Sequence, residues 1–348
     1  MNPQLMFRNP AQVVGLWNES TFNPKLLEAK TDKGWTKTLG RLGVTLLVSR
    51  EYEHLVLALE PRRTTWFHIP HPSGLLVDRA QNSLHIACTR NPNLLMELKG
   101  EVLVPIRARF FPGSLYLHEL ALIGKTIYGN AVGENAIVSL DYNQGAKRVW
   151  WPSCIGRKKP IFHKNHIQLN SIAAGKTLKD SFFSASSDRI LRKVPGDLDF
   201  PVDRKGVIFS GATREPIARG LTRPHSARLH HSQLWVDNSG YGEVGQIRGG
   251  RFEPLARLEG WTRGLCFIQD VLFVGVSKVL PRFKAYAPGL DFRKSWCGIV
   301  ALNPNNGQVL GKIAWPHGNQ IFSIEWMKNA RFPFGSGANT GKIFYGRD

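Results

Sequence analysis

The sequence predicts an all-β chain: a six-bladed β-propeller with four-stranded blades and a terminal closure. Three observations carry that expectation. A hairpin pattern recurs six times, a short small-and-apolar segment precedes each later hairpin, and two incomplete copies at opposite ends complete one another.

The hairpins come first in the argument. GVTLLVSREYEHLVLALE (43–60) and NSLHIACTRNPNLLMELK (82–99) share an apolar strand, a turn of about five residues and a second apolar strand in one register. The pattern returns as KTIYGNAVGENAIVSLD (125–141), SFFSASSDRILRKV (181–194) and SQLWVDNSGYGEVGQIR (232–248). A last copy starts at Val271 and resumes at Gly298 after a long insertion. Ahead of the later hairpins lie SGLLVD (73–78), HELALI (118–123), NSIAAG (170–175), HSARLH (225–230) and RGLCFI (263–268), read as inner strands. FSIEWM (322–327) has no hairpin after it, and the hairpin 43–60 has no such segment before it. Pairing these two closes the ring between the ends of the chain. Outer strands are expected at TWFHI (65–69), LVPIRAR (103–109), RVWWPSC (148–154), GVIFSG (206–211), FEPLARL (252–258) and QVLGKIAW (308–315). Residues 1–40 read as an N-terminal extension over the ring, 41–330 as the propeller and 331–348 as a C-terminal tail.

Composition agrees with this and removes several classes. Of 348 residues, 34 are Gly and 21 Pro, which suits a chain of many turns. No apolar run approaches the ~20 residues that span a bilayer, and Met1 to Trp17 lack a basic region followed by an apolar stretch, so neither a membrane span nor a signal peptide is expected. Four scattered cysteines, with no CxxC pair, suggest a reduced, cytoplasmic setting. There is no Walker loop, HExxH, zinc-finger spacing or GxSxG elbow. The 46 Lys and Arg exceed the 26 Asp and Glu by a formal +20, which favours anionic partners. Nucleic acid ranks low among them, because no recognised binding module is present.

In such a ring the residues just before each inner strand converge on the mouth of the central channel. One level holds Ser73, His118, Asn170, His225, Arg263 and Phe322; two residues earlier come His71, Tyr116, Gln168, Arg223, Trp261 and Gln320. Convergent polar groups in a concave mouth mark a ligand site. Three roles are open to His71, His118 and His225: hydrogen bonding between blades, a three-histidine site for one divalent transition metal, or general acid–base work. Glu119 stands next to His118 as an orienting or proton-moving carboxylate. Arg223 and Arg263 present planar donor forks suited to a carboxylate or phosphate. Trp261 offers a wall, and Asn170, Gln168, Asn238 and Tyr241 complete the ligand-binding set. The basic loop 156–166 and the insertion near 277–297 are expected on the same face.

The runs LTRPHSARLHHSQLWVDNSGYGEVG (221–245), GWTRGLCFIQDVLFVGVSKV (260–279) and CGIVALN (297–303) resemble a bacterial family of propeller proteins of unknown function. That family's pattern has His-Leu-Asn where this chain has Gln168-Leu169-Asn170, so this blade supplies no histidine. The layout is more distantly similar to gluconolactonase-like, strictosidine-synthase-like and streptogramin-lyase-like propellers. That resemblance implies a site at the channel mouth, often around a divalent metal. Two functions remain open. One is a metal-assisted lyase, hydrolase, isomerase or oxidase acting on an anionic small molecule, oligosaccharide or peptide. The other is a non-catalytic module that docks an acidic polymer or partner protein.

Overall fold

The computed structural model describes residues 23–90, 93–197, 199–336 and 343–344. Six antiparallel sheets, each with a four-stranded core, form the blades of a propeller. Blade 1 joins Ser323–Met327 to Thr45–Arg50, Leu55–Leu59 and Thr64–His68. The closure lies where the complementary ends of the repeat place it, with Thr45 opposite Met327 and Ser49 opposite Ser323. Ile324 is fully buried in the cluster that joins blades 1 and 6.

Blades 2, 3 and 5 follow the repeat. Their inner strands are Pro72–Asp78, Leu117–Ile123 and Pro224–His230, and each continues outward through three further strands. Blade 6 begins at Trp261–Ile268 and Val271–Ser277 and resumes at Gly298–Leu302 and Val309–Ala314. Inner and second strands are buried almost throughout, whereas outer strands alternate or face solvent, as stacked blades require.

Blade 4 departs from expectation. The run 181–194 is not a hairpin: Phe182–Ala185 pairs with Gly206–Ser210, and residues 187–205 between them form an insertion. Gly206–Ser210, expected outermost, is the third strand, and Pro216–Leu221 takes the edge. The sequence misleads because Ile190, Leu191 and Val194 imitate an apolar strand. In the structure Leu191 packs against Phe200, Val202 and Tyr286 instead.

The segment before the ring runs along the outer edge of blade 6. Lys30–Thr31 adds a fifth strand to Val309–Ala314, and a helix over Lys33–Leu42 follows. Asp32 caps it, its carboxylate accepting from the Trp35 amide at 2.7 Å, and Gly43 ends it with φ 61°. Its buried residues Trp35, Thr38, Leu39 and Leu42 lie at helical spacing on one face. Phe334–Ser336 likewise pairs with the outer strand of blade 1. Covering edges in this way removes unpaired strand backbone. Residues 1–22, 337–342 and 345–348 of the expected extension and tail lie outside the described residues.

Candidate functional site

The repeat register survives as a repeated backbone feature. His71, Tyr116, Gln168 and Arg223 occupy one position in four successive blades, and all are left-handed, with φ of 46, 50, 49 and 49°. A non-glycine residue held there costs about 1–2 kcal/mol, so the fold imposes the same kink each time. It turns the chain into the inner strand, which is irregular in register just beyond the kink in blades 2, 4 and 5.

Tyr116, Gln168 and Arg223 line a cavity of about 530 Å³ at the mouth, together with Trp261 and Gln320 from the matching positions of blades 6 and 1. His118, Arg263 and Phe322 line it from the next level. The turns between second and third strands add Glu51, Tyr52, Thr89 and Arg90.

The electrostatics are uneven around the rim. Glu51 receives Arg90 Nε at 3.1 Å and stands 3.7 Å from His71 Nδ1. The Gln320 amide, oriented to satisfy both neighbours, donates to Glu51 Oε2 at 2.9 Å and accepts from Arg263 Nη1 at 2.6 Å. The Arg263 guanidinium lies 3.5 Å over the Phe322 ring. Arg223 stacks on Tyr286 at 4.7 Å and Trp261 at 5.5 Å. Among the described residues its side chain has no hydrogen bond and no carboxylate partner. Burial, reinforced by the charge of Arg263, lowers the Arg223 pKa to about 10. Burial also brings Arg263 to about 10, partly offset by Glu51.

His118 and His225 stack with ring centres 6.4 Å apart, and Phe322 meets His118 edge-on at 5.3 Å. Burial, then Arg263 and Arg223, push both imidazoles well below the usual histidine range, so both are neutral at pH 7. His118 Nδ1 is buried without a hydrogen-bond partner among the described residues.

Several expected site residues have other duties. His71 does not join His118 and His225; it packs against His54, ring centres 4.4 Å apart, and faces Glu51. Among the described residues no group of three or more His, Cys, Asp or Glu side chains is arranged to hold a metal ion. The residues present therefore do not fit the three-histidine site. Glu119, one residue on from His118 and hence on the opposite face of the strand, pairs with Arg228 of blade 5 beneath the cavity. Asn170 donates to the Pro224 carbonyl at 3.0 Å and to Ser186 Oγ at 3.3 Å, bridging blades 4 and 5. Asn238 accepts from the Thr222 amide at 2.7 Å and donates to Glu243 at 2.8 Å. Tyr241 donates to Asp203 at 3.0 Å. Neither Asn238 nor Tyr241 lines the cavity. Of the basic loop 156–166 only Asn165 reaches it, and Arg157 pairs with Glu215 at 2.7 Å.

The two insertions meet beside the mouth. Tyr286 of the blade 6 insertion accepts from the Gly196 amide at 3.0 Å and donates to the Asp197 carbonyl. Pro195, Gly196, Phe283 and Tyr286 thereby form one wall of the cavity. Glu51, Arg90 and the blade 4 insertion were not anticipated as site elements. The hairpin register places Glu51 and Arg90 at the mouth, since both sit in turns on the face where inner strands begin.

Fold and site together define a six-bladed β-propeller with a cationic, aromatic-walled axial cavity. Residues 33–335 match the family described as "Domain of unknown function (DUF4915)", and the chain belongs to that family. No curated protein matches the sequence. Among solved structures the chain is similar to a chain of a nidogen/laminin complex, with TM-score 0.58 and 13% identity over 83% of this chain and 100% of that one. It is also similar to a protein of unknown function from Bacteroides caccae, with TM-score 0.53 and 8% identity over 82% and 99%. A luciferin-regenerating enzyme aligns with TM-score 0.50 and 12% identity over 71% and 77%. At these identities the likeness is one of fold.

Proposed function

We propose that the protein binds a small anionic ligand in the axial cavity, with its negative group between Arg223 and Arg263 and the neutral His118 imidazole beside it. The observation that carries this reading is Arg223: a half-buried guanidinium with no carboxylate or hydrogen-bond partner among the described residues, facing an open cavity. Unpaired buried charge is costly, and a ligand anion supplies what the chain does not. His118 lines the cavity and its side chain hydrogen-bonds Asn170. A bound anion that offsets the neighbouring guanidiniums raises its basicity. An enzyme and a laminin-complex protein share the fold, so architecture alone does not separate catalysis from docking.

Benzoate titration followed by tryptophan emission tests the reading, because Trp261 lies in the cavity wall. Saturable quenching is expected, weakened by Arg223→Met and by Arg263→Met. The absence of saturable change, or unaltered binding in both variants, contradicts it. Binding of polyglutamate but not benzoate supports the docking alternative instead.

A further inference from the structure

The same cavity carries an argument about how much charge its ligand bears, which rests on the anion-binding reading above. Its lining holds three guanidiniums, Arg90, Arg223 and Arg263, against one carboxylate, Glu51. That carboxylate is committed to Arg90 at 3.1 Å and reaches Arg263 only through the neutral Gln320 amide. The carboxylates beneath do not make up the difference. Glu119 is taken by Arg228, and Glu325 stands 3.9 Å from Arg79. His118 is neutral. The lining therefore has an excess of two positive charges.

The guanidiniums are also arranged for planar, multi-point recognition. Aromatic rings cover a face of each, Trp261 and Tyr286 for Arg223 and Phe322 for Arg263. A stacked guanidinium keeps its in-plane N–H edge free, and that edge matches paired oxygens on phosphorus or carbon. A space of about 530 Å³ admits a small molecule rather than a polymer segment.

We infer that the ligand is a small dianion, a phosphate monoester or a dicarboxylate, whose two negative charges are divided between Arg223 and Arg263. The two sources share this charge chemistry and differ in whether the charges sit on one centre or two.

The test compares four probes by isothermal titration against the full chain: phenyl phosphate, benzoate, succinate and monomethyl succinate. Phenyl phosphate loses its second proton near pH 6. Its affinity should rise about tenfold, equivalent to about 1.4 kcal/mol, between pH 5 and pH 8. Benzoate, a monoanion throughout, should change less than about twofold in the same range. If succinate rather than phenyl phosphate shows the preference, exceeding its monomethyl ester about tenfold, the dianion assignment stands with two charge centres. Arg263→Gln should lower dianion affinity to the benzoate level, and Arg223→Gln provides the same reading should the first variant fold poorly. Equal, pH-independent binding of benzoate and phenyl phosphate, with succinate no better than its ester, overturns the dianion assignment and leaves an anion cavity. Failure of all four probes overturns both readings.

Discussion

Replacing Arg223 with Met separates a ligand-holding arginine from a structural one. In the folded protein burial and Arg263 lower its pKa to about 10. At about 1.4 kcal/mol per pH unit, the distance from the ordinary arginine value disfavours the buried charge by about 3 kcal/mol. Met keeps most of the aliphatic volume but forfeits the guanidinium's contacts with Trp261 and Tyr286, worth together about 1–2 kcal/mol. The difference leaves Arg223→Met more stable than the parent by about 1–2 kcal/mol, or about 1–3 °C in Tm for a chain of this size. Differential scanning fluorimetry in phosphate-free buffer measures it, and the same sample should have lost benzoate binding. A Tm that falls by several degrees refutes the reasoning, because Arg223 would then be stabilising the fold through contacts of its own. The sign is informative because substitutions at a buried position usually destabilise.

Three further outcomes follow from other parts of the molecule. Asp237 is fully buried in blade 5, and burial raises its pKa well above the usual carboxylate range. Its neutral form favours folding at low pH, and that contribution is lost as pH rises toward the folded-state pKa. Thermal melts of Asp237→Asn should therefore gain on the parent between pH 5 and pH 8; parallel pH profiles would count against a buried neutral acid. A Cβ on Gly275 would lie 2.0 Å from the Arg263 carbonyl oxygen and 2.5 Å from the Ile321 side chain. Gly275→Ala should thus displace Arg263 and weaken benzoate binding severalfold; unchanged affinity with unchanged stability would show that the strand yields freely. Ile324→Ala deletes a fully buried side chain from the closing strand. It should cost about 3 kcal/mol and lower Tm by about 4 °C, whereas a drop under about 1 °C would mean that the closure contributes little.

The ring was legible because a repeat reports on itself. FSIEWM (322–327) lacked a hairpin and 43–60 lacked an inner strand, and the register Ser49 to Ser323 joins them. The same register placed Arg223, Arg263, Trp261 and His118 at the mouth, where they line the cavity. It failed where a side chain found a nearer partner than the axis. His71 has the same left-handed backbone as Arg223, yet its ring turns to His54 and Glu51. Glu119 follows from strand alternation, which sets it on the face opposite His118. Tyr241 was unreadable for a different reason: its partner Asp203 belongs to an insertion concealed by a segment that imitates a hairpin.

The closing strand has a further consequence, which concerns the order of synthesis. Ser323–Met327 is the last of the blade-core strands to leave the ribosome, and it fills the innermost place in the first blade. Until it arrives, a nascent chain carrying the other blades keeps Thr45–Arg50, all of it buried in the finished ring, as an unpaired edge open to mispairing. Gln320 and Phe322, which steady Arg263, emerge with the same stretch. Completion of the ring and completion of the axial cavity are therefore a single late event, so a chain cut short before this strand has neither.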